Sequence, residues 1–186
     1  MIPFPDKKYQ IIYADPPWKS EKGWFNNKKW KSTKFENHYP TMSISEICSM
    51  KVQNITNKNA HLYLWTTSRN LLKGDAWKVA TKWGFRPINV ITWCKTQFGI
   101  GNYFQNNTEH LIFCVKGQMS TLDTGGYGTY FIQKRIGHSQ KPPIVRDWII
   151  KWSGYLPRIE LFARPPKDLL FEDESFKGWD VWGNEV

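Results

Sequence analysis

Cysteine is scarce in this sequence. Cys48, Cys94 and Cys114 are the only three among 186 residues. Three scattered thiols cannot build a disulfide scaffold. No Cys/His cluster has the spacing of a zinc finger or ribbon, so a structural zinc module is excluded and no metal is expected. Long apolar runs are missing too, and none approaches the roughly 18 residues of a membrane span. Met1 to Lys8 carries prolines and charges without an apolar centre, which does not fit a secretory signal. The expectation is a protein of the cytoplasm or another reducing intracellular compartment, with no membrane partner. Acidic residues are also few. Sixteen Asp and Glu face 26 Lys and Arg, giving a net charge of +10. A glycine-rich G-x-G loop directly after a strand is absent as well. Gly125-Gly126-Tyr127-Gly128 follows no convincing strand, so a dinucleotide or phosphate loop there is weakly supported.

Aromatic residues are abundant: 11 Trp, 8 Tyr and 11 Phe make up 16% of the chain. Many sit inside regular apolar patterns and read as packing. Others interleave with charge. Lys22, Lys28, Lys29, Lys31 and Lys34 lie together with Trp24, Phe25 and Trp30, with no Asp or Glu between residues 22 and 34. This lysine-rich stretch has no helical or strand period and reads as a surface loop. One reading is phosphate contact around a target base, the other a solvated loop that aids solubility. Net charge and the motif beside it favour nucleic acid.

Hydrophobic periodicity gives alternating elements. Residues 9–14 (YQIIYA) read as a buried strand, stopped by Asp15-Pro16-Pro17. Ser43 and Glu46 have capping-box spacing and open a helix to about Met50. Residues 60–65 (AHLYLW) form a strand. Residues 68–83 carry one helical pattern that Gly84 ends. Strands follow at 86–94, with Pro87 at an edge or start, and at 109–116. Residues 118–136 show no clear element. Pro143 opens a helix that reaches Gly154. Residues 158–162 form a strand, and the tail adds a short one near 179–182. Strands alternating with helices predict an α/β fold with a largely parallel central sheet flanked by helices. No linker or repeat divides the chain, so 1–186 is expected to be one domain.

The strongest local signal is Asp15-Pro16-Pro17-Trp18 directly after a strand. Ligands of open α/β sheets sit beyond the carboxyl ends of strands. Two prolines stiffen the backbone and leave carbonyls as pure acceptors. Asp15 adds an anionic acceptor and Trp18 a flat apolar face. The set suits a planar ring with an exocyclic amine: Asp15 and the Pro16 carbonyl receive its hydrogens. Alignment and electrostatics, rather than a covalent nucleophile, would drive the chemistry. The alternative is a tight turn in which Asp15 caps its own backbone.

The segment resembles the Asp/Asn-Pro-Pro-aromatic motif of amino-methyltransferases. More closely, the chain resembles the MT-A70 family of S-adenosylmethionine-dependent adenine-N6 methyltransferases. The matching stretches are YADPPW at 13–18, HYPTMSISEI at 38–47, HLYLWTTSR at 61–69 and VITWCKT at 90–96. NNTEHLIFCVKG at 106–117, HSQKP at 138–142, RIELFARP at 158–165 and WGNE at 182–185 complete the series. The resemblance implies a Rossmann-like methyltransferase fold with permuted motif order, the catalytic motif preceding much of the cofactor-binding half. It implies catalytic roles for Asp15, Pro16, Pro17 and Trp18, with Tyr39 beside the target adenine. It implies cofactor contacts from Asp15, Lys141, Glu160, Arg164, Asn184 and Glu185. Two departures are visible: Pro166-Lys167 stand where larger members often have His-Asn, and Glu185 stands where Gln is frequent.

The substrate expected is adenine in DNA, since no RNA-binding module is visible, with RNA as the alternative. Cytosine N4, a protein glutamine amide, or a catalytically silent nucleic-acid-binding subunit are the other readings. So small a reader suggests a homodimer or a partner subunit. Glu109 and His110 are adjacent in a strand and point to opposite faces, so they are not an acid–base pair. Glu109 reads as a hydrogen-bond anchor and His110 as satisfied in the sheet. Glu160 alternates with Ile159 and Leu161; its other reading is a surface charge paired with Arg158 or Arg164. Trp65, Trp93 and Lys95 are open between pocket and core. Trp77, Trp83, Trp148 and Trp152 read as structural. Residues 95–108 and 118–137 would form the rest of the mouth, where Asn102, Tyr103, Phe104 and Asn106 are placed to read base edges.

Overall fold

The computed structural model describes residues 2–19, 40–99, 103–137, 140–163 and 176–183. Seven strands form one sheet in the order β5-β3-β4-β2-β1-β6-β7. The strands are β1 (Tyr9–Ala14), β2 (Thr56–Thr66), β3 (Arg86–Cys94), β4 (Thr108–Lys116), β5 (Tyr130–Ile132), β6 (Arg158–Leu161) and β7 (Asp180–Trp182). The helices are α1 (Ile44–Ser49), α2 (Ser68–Leu72), α3 (Asp75–Lys82) and α4 (Ile144–Ser153). β1 runs parallel to β2 and β6, β6 to β7, and β3 to β5. Only β4 is reversed, antiparallel to both β2 and β3. The expected α/β architecture with a mostly parallel sheet is therefore the observed one.

The unbroken apolar run of β1 has a simple cause: both faces of the sheet are covered. Ile12 and Ala14 join Leu62, Leu64, Ile159 and Leu161 in a core that includes Ile47 of α1 and Val79 of α3. Ile11 and Tyr13 point the other way, toward Val145 and Ile149 of α4, with Tyr63, Trp65 and Trp93. Strand alternation thus splits the interior into two cores. Ser43 caps α1 with the reciprocal Glu46 contact, as its spacing predicts. Helix α4 begins immediately after Pro143, which occupies its N-cap.

Two elements differ from the sequence reading. Residues 68–83 form two helices, because Gly74 sits at φ 74° and ends α2 while opening α3. A left-handed residue breaks the hydrogen-bond ladder that the side-chain period alone does not report. β5 lies in the stretch where no element was expected; three residues against residues 92–94 of β3 leave too little pattern to see. Among the tryptophans, Trp83 is buried and donates to the Ile47 carbonyl at 2.9 Å, and Trp148 and Trp152 pack together. Trp77 corrects the structural assignment: it is 59% exposed on α3. Trp65 and Trp93 resolve as core residues.

A buried chain of hydroxyls ties α4 to the sheet. His61 Nδ1 lies 2.7 Å from Ser153 Oγ, which lies 2.8 Å from the Tyr63 hydroxyl. His61 Nε2 lies 3.0 Å from the Met119 carbonyl. All contacts are satisfied with a neutral ring that donates from Nε2. Burial holds the His61 imidazole below its usual value of 6.5. The unfolded chain therefore takes up a proton first as the pH falls below 6.5. The contribution is full above that value and is lost on acidification. The thermal midpoint is expected to drop between ~pH 7.5 and ~pH 5.5, and less steeply in His61→Gln, which cannot titrate. Equal slopes in the two proteins would remove His61 from the account.

Candidate active site

The parallel strands β1, β2 and β6 end side by side, and the antiparallel strand β4 begins at the same end. Asp15 leaves β1 there. Its N–H points to the Leu161 carbonyl at 3.4 Å. The Pro16 carbonyl accepts the Trp18 N–H at 2.8 Å, a local turn and not a sheet bond. The Pro17 carbonyl is occupied by the Met42 N–H at 2.8 Å, and Lys19 N–H returns to the Met42 carbonyl at 3.0 Å. Each of the two proline carbonyls expected as acceptors thus already takes one backbone N–H; Pro16's does so within a local turn, with a second lone pair left over. The Trp18 indole donates to the Trp65 carbonyl at 3.1 Å and its ring packs half-buried against the core. These bonds lock the motif from both sides.

A line of alternating charges crosses the sheet end from Asp15. Lys141 Nζ, from the segment before α4, donates to Asp15 Oδ2 at 2.6 Å and lies 3.2 Å from Glu109 Oε2. Lys95, at the end of β3, donates to the other Glu109 oxygen. All four side chains are at most 25% exposed. The line rests on a tryptophan floor. Lys141 sits 5.6 Å from the Trp65 ring centre and Lys95 4.8 Å from that of Trp93. The two rings meet edge to face at 6.1 Å. Trp65 Nε1 donates to the Tyr13 hydroxyl at 2.7 Å.

The electrostatics follow from that packing. Burial acts to lower the Lys141 ammonium, but the Asp15 and Glu109 carboxylates outweigh it and hold Lys141 above the usual lysine range. Burial acts to raise Glu109, and Lys141 and Lys95 together bring it below the usual glutamate value. The Tyr13 phenol is pushed far up by burial and by Glu160, so it is a neutral hydroxyl. His110 points to the opposite face from Glu109, with Ser68 Oγ at 3.0 Å and Thr92 Oγ1 at 3.0 Å. The two neighbours therefore have the separate structural settings that strand alternation predicts.

Glu160 is 7% exposed in a central strand, so the surface-charge reading is corrected. Among the described residues its partner is Arg146 of α4, not Arg158. Arg146 Nε donates to Glu160 Oε2 at 2.6 Å and the terminal nitrogen Nη2 donates to Oε1 at 3.0 Å. Glu160 faces α4 because it alternates with Ile159 and Leu161, and α4 covers that face. Arg158 instead donates to the Leu156 carbonyl and stacks on Tyr155. Burial raises the Glu160 carboxyl and the Arg146 pairing only partly opposes it.

Tyr39, Arg164, Asn184, Glu185 and the lysines Lys22, Lys28, Lys29, Lys31 and Lys34 lie outside the described residues, as does Asn102. Of the predicted set, the structure brings Asp15 and Lys141 into contact and puts Glu160 on the strand beside Asp15's. Lys95, Glu109 and Arg146 complete the charge networks; the sequence reading leaves Lys95 between pocket and core, takes Glu109 as an anchor and does not raise Arg146. Trp93 pairs with Glu109 in the β3–β4 register, and Lys95, two residues past Trp93, shares its face. Among the described residues no group of His, Cys, Asp and Glu is arranged to hold a metal, and no helix is long and apolar enough to cross a membrane.

A carboxylate beside an ammonium is the complement of a zwitterionic amino-acid group, and a carboxylate beside a proline carbonyl is the complement of an aromatic amine. Asp15 belongs to both pairs, so the donor set suits a sulfonium amino-acid cofactor as well as an amine acceptor. Residues 9–185 match the MT-A70 family model. The chain is 34% identical over 202 residues to the type II methyltransferase M.MunI of a Mycoplasma species, covering 98% of this chain and 79% of that one. It is 26% identical to the N(6)-adenosine-methyltransferase MT-A70-like protein of Drosophila melanogaster and 24% identical to the human N(6)-adenosine-methyltransferase catalytic subunit METTL3. Both matches cover 85% of this chain but only about a quarter of the relative, 25% and 26% respectively.

Proposed function

Because the chain belongs to the MT-A70 family of S-adenosylmethionine-dependent adenine-N6 methyltransferases, we propose that its acceptor is adenine in DNA, held at Asp15 and Pro16. The observation that carries the site assignment is the Asp15–Lys141 contact at the mouth of the sheet, beside a rigid diproline turn. DNA is favoured over RNA by the higher identity to a type II methyltransferase, 34% against 24–26% for the adenosine-methyltransferases, and by the net charge of +10.

S-adenosylmethionine supplies the electrophilic methyl group. The protein's part is positional. Asp15 and the Pro16 carbonyl accept the two N6 hydrogens, which turns the nitrogen lone pair out of the ring plane and toward the methyl carbon. Transfer would break the donor's S–CH3 bond, leaving a neutral thioether, as the C–N bond forms; N6 then becomes acidic, and its proton leaves to the Asp15 carboxylate or to water. No strong base is needed beforehand, and His110, next to Glu109 in β4, faces away from the site. Pro17 and Trp18 keep the turn rigid through Met42 and Trp65, and Tyr39 is assigned to the adenine face. On the cofactor side, Lys141 is assigned to the carboxylate and Asp15 to the amine. Glu160, Arg164, Asn184 and Glu185 are assigned to the ribose and its surroundings, with Glu160 held in place by Arg146.

Labelled S-adenosylmethionine offered with duplex DNA, single-stranded DNA and RNA, followed by nucleoside identification, tests the reading. N6-methyldeoxyadenosine is expected. N6-methyladenosine from RNA alone would replace the substrate, and methylcytosine would replace the acceptor. Glu109 provides a second check. Glu109→Gln removes the charge that divides Lys141 between two carboxylates. Lys141 then shifts toward Asp15, and kcat is expected to fall by on the order of 10- to 100-fold from misalignment. An unchanged kcat would make Glu109 a fold anchor only.

A further inference from the structure

We infer that Phe98 and Phe104 on the β3–β4 connection, together with Lys134 and Arg135 just past β5, form a nucleic-acid-contacting rim. The rings stack on bases left unstacked by extrusion of the adenine, or on those of a single strand, and the cations take flanking phosphates. The inference rests on the methyltransferase reading of the same site and extends it to how the polymer is held.

Strand directions put these groups in place. β3 and β5 both run in the direction of β1, so the segments after Cys94 and Ile132 emerge at the Asp15 end of the sheet. The two segments are stitched together. Gln133 N–H donates to the Cys94 carbonyl at 3.1 Å, and the Trp93 indole donates to the Gln133 carbonyl at 2.8 Å. The base of the β3–β4 connection is pinned by Lys95 N–H to the Asn107 carbonyl and Gly99 N–H to the Asn106 carbonyl, each 2.7 Å. A Cβ at Gly99 would come within 2.8 Å of the Asn106 carbonyl oxygen, so glycine permits that closure. The base is also tied to the active site: Lys95, Glu109, Lys141 and Asp15 form one unbroken chain of ion pairs.

On this pinned base the apolar groups face water. Phe98 is 69% exposed and Phe104 84%, and Lys134 and Arg135 are exposed. Two exposed phenyl rings on one pinned connection offer flat apolar faces to a partner. The charge selects the partner. Residues 95–107 and 124–146 contain no Asp or Glu, so the rim is purely cationic and aromatic. Stacking rings beside phosphate-reading cations is the composition of single-strand and flipped-base surfaces. An extruded adenine leaves its complementary base unpaired and its strand neighbours without a stacking partner on one side, and the rim emerges at the same end of the sheet as Asp15.

The test measures binding of a labelled single strand, and of a duplex with an abasic site opposite one adenine, by fluorescence anisotropy over a salt series. Phe98→Ala/Phe104→Ala is expected to weaken both by ~25-fold or more, since each stacked ring is worth at least ~5-fold, with the salt slope unchanged. Lys134→Gln/Arg135→Gln is expected to flatten the logarithmic salt slope for the single strand by about 1.4. S-adenosylmethionine affinity by calorimetry stays at the wild-type value in both. The rim is overturned if the phenyl variant binds oligonucleotide as the wild type does, or loses cofactor affinity in parallel. Wild-type protein that methylates free adenosine yet binds neither oligonucleotide also overturns it, and leaves the chemistry standing. Phenyl-dependent binding with no methylated nucleoside keeps the rim and removes the substrate reading.

Discussion

Asp15→Ala will lower kcat for adenine methylation by about 10³-fold, the scale of removing a preorganised group aimed at the reacting centre. Asp15 is the acceptor that orients the amine, and no neighbour replaces it. Glu109 is held by Lys95 and Lys141 on the far side of the ammonium, and Glu160 is clamped by Arg146. The fold will tolerate the change. The Asp15 side chain is 25% exposed, and Lys141 keeps Glu109 as a partner at 3.2 Å. Losing a partly screened pair of this kind costs about 1 kcal/mol. Turnover and the thermal midpoint, measured on the same preparation, separate the two effects. Asp15→Asn should fall between the alanine variant and wild type, because an amide oxygen still accepts but its NH2 opposes Lys141. Wild-type turnover in the alanine variant would sink the site assignment, and so would a collapse in stability that accounts for the whole loss.

The largest expected effect on stability belongs to Arg146. Its guanidinium and the Glu160 carboxylate share two hydrogen bonds with side-chain exposures of only 11% and 10%. Arg146→Met leaves a carboxylate alone beneath α4, and the expected loss is about 3–5 kcal/mol. The double variant Arg146→Met/Glu160→Gln removes the stranded charge and should recover much of that loss. The pH dependence gives an independent sign. Burial already raises Glu160 above its usual value of 4.5, and losing Arg146 raises it further. A raised acid binds its proton in the folded state at a pH where the unfolded chain has released it. Stability of Arg146→Met therefore rises as pH falls toward 4.5, so its deficit is smaller at ~pH 5.5 than at ~pH 8. A deficit that is flat across that range would mean that lost packing, not a stranded charge, is the cause. If Glu160 also serves the cofactor, Glu160→Gln alone will weaken S-adenosylmethionine binding with little loss of stability.

Much of the fold was legible because the periodicities were clean. YQIIYA could only be a strand covered on both faces, and Ser43 with Glu46 announced a helix start. The break at Gly74 was not legible, since side-chain periodicity continues across a single left-handed residue. β5 was invisible because three residues carry no period, and it exists only because β3 offers it an edge. For the site, Asp15 to Trp18 stood out as a composition anomaly at a strand end. The ion pair between Glu109 and Lys95 did not. A glutamate opening a strand and a lysine just past one are ordinary, and their pairing comes from the β3–β4 register, which sets Trp93 opposite Glu109 and so puts Lys95, two residues on, on the same face. Arg146 was hidden in the same way, as one arginine among polar helix residues.

The amino-acid order determined the elements, the rigid Asp-Pro-Pro-Trp corner, the family and the surplus of positive charge, because each is written in neighbouring residues or in simple counts. Only the tertiary structure decided who faces whom. Lys141 meets Asp15 across 126 positions, and α4 delivers Arg146 to a glutamate on a strand not yet formed when the helix is read. Electrostatic energy depends on distance and burial, and neither quantity exists until the sheet has assembled.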